Sequence, residues 1–295
     1  MIIVNSINDC RNAINQAKFE KSKNFENLKI SLVPTMGYLH DGHLNLMKIA
    51  KEKSNFLVVS IFVNPTQFGP NEDFEKYPRN AERDIKLCEE MGVDLIILPA
   101  VIELYPIGFA STIKISKVTE MLEGEKRPGH FDGVATVVAK LFNIIKPNIA
   151  VFGQKDFQQC LLIKKLVKDF NFDIELIIAP TLREKDGLAM SSRNVYLSEN
   201  ERNDASILFA TLERTKQLIE QGESDRKIIN AYMQNSLRKV SYLRIDYAMS
   251  ANADNLDMPD YFLAGEEVVL LLAVFVGKTR LIDNTVIKVP SKLIF

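Results

Sequence analysis

The chain has three histidines, His40, His43 and His130, and each falls in a glycine-bearing segment just ahead of a helical pattern. Scattered structural histidines have no reason to gather there. Imidazoles beside a helix start do, because the unpaired N–H groups of the first turn and the helix dipole already favour a negative ligand. The sharper signal is Met36-Gly37-Tyr38-Leu39-His40-Asp41-Gly42-His43. Gly37 and Gly42 permit close backbone approach, so the segment reads as a phosphate site for a nucleotide. A helix cap with a solvated second ring is the bland alternative for any isolated His-x-x-His. Zinc is weaker, since only one further histidine exists and no cysteine is near in sequence.

Other chemistry-bearing residues are Lys155 and Asp156 in Gly153-Gln154-Lys155-Asp156, Met190-Ser191-Ser192-Arg193, and the amides Gln67 and Gln159. Alone, Lys155-Asp156 is an exposed pair at a helix start, Ser191–Arg193 a common loop triplet, and Arg127–His130 a turn. Their positions give them weight. Ile30–Val33, Phe56–Val63, Val93–Leu98, Ile149–Phe152 and Ile174–Ile178 are short apolar runs, and helical patterns lie between most of them. That alternation predicts βαβ units and a parallel sheet, whose ligands collect beyond the carboxyl ends of the strands. Pro34–His43, Asn64–Gln67, Gly153–Gln159 and Thr181–Arg193 each follow such a strand.

The helices that must carry these strands are also legible. Ser6 with Asp9 reads as a capping box ahead of Ile7, Cys10, Ile14 and Ala17 on one face, and Lys18–Asn27 reads as a polar surface loop. Leu44, Met47 and Ala50 make a stripe. Asn80–Met91 is helical with Ile85 and Cys88 inward and Gly92 as its C′ residue. Val134, Val137, Val138, Leu141, Phe142 and Ile145 form the clearest helical period in the chain, and a further helix is expected from about Asp156 to Phe170. Past Arg193 the alternation stops: Ser198–Gln221 and Asp225–Val240 read as helices, then Ile245–Met249, Val268–Val276 and Arg280–Ile282 as strands. The expectation is an α/β protein with a Rossmann-like parallel sheet in an N-terminal domain, residues 1–180, and a smaller α+β lid domain, residues 181–295.

Bulk properties exclude several classes. The 295 residues are 46% hydrophobic and 25% charged with a net charge of −1, which leaves no electrostatic footprint for nucleic acid or an anionic membrane. The longest wholly apolar run, Val268–Val276, is far short of the roughly 20 residues of a membrane-spanning helix. Met1-Ile-Ile-Val-Asn-Ser6 lacks the basic, apolar and small-residue pattern of a signal peptide. Cys10, Cys88 and Cys160 form no Cys-x-x-Cys pair and read as buried free thiols in a reducing compartment, hence a cytoplasmic protein.

Together these residues resemble the pantoate–β-alanine ligase family, within the His-x-Gly-His nucleotidyl transferases. The resemblance covers nearly the whole chain. It rests on Pro34–His43, Phe62–Phe68, Arg127–Phe131, Gly153–Gln159 and Asp186–Arg193 in the family's order, with Leu281–Asn284 near the C-terminus. Thr66 departs from a frequent Met and Gln154 from a frequent Glu.

The resemblance implies ATP-dependent condensation of pantoate with β-alanine through a pantoyl adenylate, releasing AMP and pyrophosphate. It implies that Met36–His43, Gly153–Asp156, Leu182 and Met190–Arg193 hold ATP, the last on a mobile loop. Gln67 and Gln159 are implied for pantoate, Gln67 also lying near β-alanine, and His130 joins them as a substrate-binding candidate. His43, usually written as proton donor, is implied as catalytic with His40, Lys155 and Arg193. Asp156 reads the ribose hydroxyls or serves a metal. Mg²⁺ is implied as cofactor without protein side-chain ligands, and the assembly as a homodimer. A nucleotidyl transferase that stops at the adenylate is the nearest rival, and Gln67 with Gln159 argue against it. A nucleotide sensor is a more distant one.

Overall fold

The alternation of apolar runs and amphipathic helices folds as parallel-sheet chemistry requires. The computed structural model describes residues 1–23, 27–70 and 72–291, and these form two compact units. The first comprises Met1–Gln154 and Gln158–Pro180; the second comprises Lys155–Phe157 and Thr181–Phe295.

In chain order the first unit carries β1 (Ile2–Val4), α1 (Ile7–Lys23), β2 (Ile30–Thr35), α2 (Asp41–Lys53), β3 (Phe56–Ile61), α3 (Ala81–Glu90) and β4 (Leu95–Ile97). It continues through α4 (Val101–Leu104), α5 (Glu123–Lys126), α6 (His130–Ile145), β5 (Ile149–Gly153), α7 (Phe157–Asp169, all but its first residue) and β6 (Glu175–Ala179). The sheet runs β1-β4-β3-β2-β5-β6, and every pairing is parallel. From β2 the chain winds outward through β3 and β4, then returns to lay β5 on the other side of β2. The direction reverses between β2 and β5, and a ligand crevice opens at such a reversal.

Strand residues are buried on both faces, as a sheet covered by helices demands: Leu32, Val33, Val58, Val59, Ala150 and Val151 are all inaccessible. Val33, Val59 and Val151 join Met47, Ala50 and Cys88 in one core cluster. The α6 stripe expected from the sequence is buried throughout, along with Ala135, Thr136 and Ala139, so this helix lies inside the unit and not on its rim.

The second unit places α8 (Glu199–Asp204), α9 (Ile207–Glu220) and α10 (Arg226–Leu237) ahead of β7 (Leu243–Asn252), β8 (Glu267–Val276) and β9 (Thr279–Lys288), an antiparallel sheet with β8 central. Val268, Leu270, Leu272, Val274 and Val276 share a core with Leu208, Leu212, Ile229 and Met233. Alternate β8 residues therefore seat the helices.

Several boundaries differ from the sequence expectation. The N-terminal Ile2–Val4 pairs with β4 as an edge strand, too short for its period to register. Lys18–Lys23 continue α1, because Lys and Glu are good helix formers even without an apolar stripe; residues 24–26 of the expected loop lie outside the described residues. Ser198–Gln221 is two helices, since Ser206 opens a new one. The last strand is ten residues and not three. Asp283 and Asn284 interrupt its apolar pattern, yet the full ladder to β8 satisfies its backbone.

Candidate active site

After β2 the chain must turn sharply, and a buried carboxylate shapes the turn. The Thr35 hydroxyl donates to Ser60 O at 2.9 Å and accepts from Gly37 N–H at 3.2 Å. Gly37 (φ +83°) and Tyr38 (φ +49°) are left-handed. The next amides donate to one carboxylate of α3: Tyr38 N–H to Asp84 Oδ2 at 2.7 Å and Leu39 N–H to Oδ1 at 2.8 Å. A Cβ on Gly37 would come within 3.0 Å of Asp84 Oδ2 and of Ile61 Cγ2, so glycine is needed for space as well as for φ. Asp84 is 1% exposed, and burial raises its pKa against the pull of these two amides.

The turn delivers His40 to the N-cap of α2. Its Nδ1 accepts from Gly42 N–H at 3.1 Å, while Nδ1 of His43 accepts from His40 N–H at 3.3 Å, a capping box built from two imidazoles. The ring centroids are 4.1 Å apart. A backbone N–H can only donate, so each Nδ1 must carry its lone pair and each ring proton sits on Nε2. The cap reading of His-x-x-His is what the geometry shows: capping through Nδ1 sets both rings at a helix N-terminus.

After β3, Asn64 caps the short 3₁₀ turn Pro65–Gln67. Its Oδ1 accepts from the Tyr105 hydroxyl at 2.8 Å, the Thr66 hydroxyl at 2.9 Å and Thr66 N–H at 3.3 Å. Its Nδ2 donates to Gly133 O at 3.1 Å and to Gln67 Oε1 at 3.3 Å. Gln67 Nε2 in turn meets Met36 Sδ at 2.9 Å. The ends of β2 and β3 are thus tied through the amide of Gln67, which is 8% exposed. The Thr66 hydroxyl has a use here, as a donor that helps to orient Asn64.

His130 opens α6 after Gly129 (φ +82°). Its Nδ1 donates to Gln67 O at 2.7 Å, and its Nε2 accepts from Arg127 Nη1 at 3.1 Å. Arg127 is itself held side-on by Glu72, through Nε to Oε1 and Nη2 to Oε2, both at 2.7 Å. Burial, reinforced by the Arg127 charge, lowers the His130 pKa to about 4, so the ring is neutral. Burial opposes ionisation of Glu72, but the hydrogen bonds and charge of Arg127 hold its carboxyl below the usual range. Both ring nitrogens of His130 are therefore used by the protein. The sequence expectation put His130 on substrate; here its ring nitrogens meet Arg127 and the Gln67 carbonyl.

Beyond β5, Gly153 lies opposite Ala179 and Gln154 N–H donates to Ala179 O at 2.8 Å. Gln158, on the first turn of α7, is buried and occupied by Val118 O, Met121 O and Glu123 N–H. Gln159 beside it is half-buried.

Lys155 and Asp156 belong to the second unit, with Nζ and Oδ1 3.6 Å apart. The Lys155 carbonyl accepts from Asn284 Nδ2 at 2.8 Å. Asn284 follows Asp283, a buried carboxylate paired bidentately with Arg183 at 2.6 and 3.0 Å. Burial raises the pKa of Asp283 despite that partner. In the same unit Met190 N–H donates to Leu182 O at 3.1 Å across a hairpin tip with Gly187 at φ +92°. Arg202 braces the tip through Glu184 and Asp186. Ser191 caps the 3₁₀ turn Ser192–Tyr196 by accepting from Arg193 N–H.

A family profile described as pantoate-beta-alanine ligase matches residues 2–286. The chain belongs to that family. Pantothenate synthetase of Caldicellulosiruptor bescii is 48% identical over 288 residues, 98% of this chain and 99% of that one. Pantothenate synthetase of Acetivibrio thermocellus is 52% identical over 260 residues, 88% of this chain and 92% of that one. Among solved structures, pantothenate synthetase from Thermus thermophilus superposes with a TM-score of 0.89 at 41% identity, covering 98% of this chain and 100% of that one. The chain is accordingly an enzyme that ligates pantoate to β-alanine.

The motifs of this ligase family were visible in the sequence, but their supports were not. Asp84 sits in Glu82-Arg83-Asp84 and looks like one solvated charge among several. One signal could have found it: it shares a helical face with Cys88, and these two are the fully buried residues of α3, while Ile85 packs partly buried against the same core as expected. Tyr105 and Glu72 left no local signature, and Asn64 and Arg127 lay in recognised segments that assigned them no supporting role.

Proposed function

We propose that this ligase works by holding ATP on Met36–His43, Gly153–Asp156, Leu182 and Met190–Arg193, and pantoate on Gln67 and Gln159. In the first step a pantoate carboxylate oxygen attacks the α-phosphorus, the bond to the bridging oxygen of the β-phosphate breaks, and pyrophosphate leaves. In the second, the amine of β-alanine attacks the acyl carbon of the adenylate, an amide forms, and AMP leaves. The first nucleophile is already an anion, so the protein's task is alignment and charge neutralisation. The observation that carries the reading is the reciprocal His40–His43 cap after β2, the strand at which the sheet reverses, with Met36 of the same segment meeting the Gln67 amide from the end of β3. A related ligase from Francisella tularensis, 35% identical with a TM-score of 0.76 over 97% of both chains, was solved with β,γ-ATP and β-alanine, which supports this use of ATP.

The roles follow from the chemistry of each group. His40 and His43 stand at a helix start where phosphate charge is stabilised, and Lys155 and Arg193 add positive charge. Gln67 and Gln159 suit pantoate because an amide donates to its carboxylate and accepts from its hydroxyls. Asp156 suits the ribose hydroxyls. Among the described residues no three His, Cys, Asp or Glu side chains are grouped to hold a metal. Mg²⁺ is proposed as a companion of the triphosphate. A cytoplasmic homodimer completes the proposal, which is compatible with the lack, among the described residues, of any helix long and apolar enough to cross a membrane.

The test is product analysis with each substrate withheld in turn. AMP and pyrophosphate are expected together only when ATP, pantoate and β-alanine are all present at turnover. AMP release without pantoate would sink the scheme.

A further inference from the structure

Gln67 is placed by more than its own loop. Its side-chain amide is set by Asn64 and Met36, and its main chain by a second system that comes from a distant part of the sequence. His130 Nδ1–H donates to the Gln67 carbonyl at 2.7 Å, and Arg127 Nη2 approaches the same oxygen at 3.4 Å. That carbonyl ends the 3₁₀ turn, so fixing it fixes the Cα from which the amide projects.

Three features make the arrangement directional. Arg127 donates into Nε2, which leaves Nδ1 as the only ring nitrogen able to carry the proton. Glu72 takes the two other nitrogens of the guanidinium side-on at 2.7 Å each, which holds the arginine in place. Gly129, left-handed, aims the first residue of α6 back at the turn. The order is carboxylate, guanidinium, imidazole, carbonyl, and only one tautomer of the imidazole satisfies both neighbours.

We propose that His130, held in its Nδ1–H tautomer by the Glu72–Arg127 pair, is a positioning residue that sets Gln67 for pantoate. The inference rests on the assignment of Gln67 to pantoate made above. The ring touches no reacting atom and moves no proton. Its work is orientation of the residue that holds the acid to be activated.

The test compares steady-state constants for pantoate and ATP in Gln67→Ala, His130→Ala, His130→Asn and His130→Gln. An asparagine amide reaches about where Nδ1 stood and can donate to the Gln67 carbonyl. A glutamine amide reaches the Nε2 position and meets Arg127. His130→Ala is expected to raise the pantoate KM roughly tenfold, the scale of one well-placed hydrogen bond, with the ATP KM and kcat changed less than about threefold. His130→Asn is expected to recover most of the loss and His130→Gln little of it. Equal rises in both KM values, a fall in kcat alone, or equal behaviour of the Asn and Gln variants would overturn the proposal. Gln67→Ala separates the two readings: if it leaves the pantoate KM unchanged, the Gln67 assignment itself is wrong. Should His130→Ala fail to fold, Glu72→Gln loosens the arginine without touching the ring. It is expected to raise the pantoate KM by a smaller factor; no selective rise would count against the proposal.

Discussion

His43 does two things with one ring, and they separate experimentally. Nδ1 closes the cap on His40 N–H, and the ring is proposed to act on the phosphates as well. Loss of a side-chain cap costs about 1 kcal/mol, whereas loss of one preorganised donor to a developing charge costs about 10²–10³ in rate. His43→Ala is therefore expected to melt only slightly earlier but to form adenylate at least about a hundredfold more slowly, as measured by pyrophosphate release in a single turnover. Adenylate formation near the normal rate in the folded variant would remove His43 from the chemistry. Asp84 is the reverse case, a residue that the reaction does not touch and the turn requires. Asp84→Asn replaces one acceptor oxygen by a donor facing a backbone N–H, and a buried donor left unmet costs about 1–3 kcal/mol. A lower melting temperature is expected, with a rise in the ATP KM larger than that for pantoate. A variant with normal stability would mean that the carboxylate is not what holds the turn.

At the scale of elements, the site depends on how closely α6 approaches the turn after β3. Gly133 allows that contact: a Cβ there would collide with Thr66 O and lie 2.7 Å from Gln67 N. Both are backbone atoms and cannot yield as a side-chain tip would. The same glycine offers its carbonyl to Asn64 Nδ2. Gly133→Ala improves helix propensity and would stabilise an isolated α6, yet it must push the Gln67 turn away. Overpacking of this kind costs about 1–3 kcal/mol. Gly133→Ala is expected to lower the melting temperature and to raise the pantoate KM, both measurable on one preparation. Stabilisation with unchanged kinetics would show that the turn moves freely.

At the scale of the whole molecule, the network under Gln67 links its placement to acid stability. His130 has a folded pKa of about 4 against an ordinary value of 6.5, so the folded state prefers the neutral ring. The contribution is fully present above about pH 6.5 and is lost as pH falls toward 4, because only the unfolded chain takes up the proton in that window. At 1.36 kcal/mol per unit, the contribution lost is on the order of 3 kcal/mol. Glu72, with its lowered pKa, acts in the same direction at more acid pH, while Asp84 and Asp283, raised by burial, act in the opposite one. The comparison of native protein with His130→Asn isolates the histidine. Unfolding free energies of the native protein are expected to fall more steeply between about pH 6.5 and 4.5 than those of the variant. Parallel slopes would show that the ring is not held neutral.

What the sequence determined by itself is local. Glycine turns, helix caps, apolar periods and the order of the strands are written within a few residues of one another, and they sufficed for the parallel sheet, the family and the segments that bear its motifs. What the tertiary structure decided is which distant residues support those segments. Asp84 meets Leu39 from 45 residues away, His130 meets Gln67 from 63, and Asn284 meets Lys155 from 129. Only the helical face it shares with Cys88 sets Asp84 apart from its charged neighbours, and nothing local marks His130 as a ring already occupied at both nitrogens. Such pairings exist only once α3 and α6 have packed against the strand ends, because a hydrogen bond between distant residues is a property of the topology. The spacing of the histidines in Met36–His43 suggested a phosphate site; that each Nδ1 accepts a backbone N–H of the other's turn became readable only from the cap that binds them together.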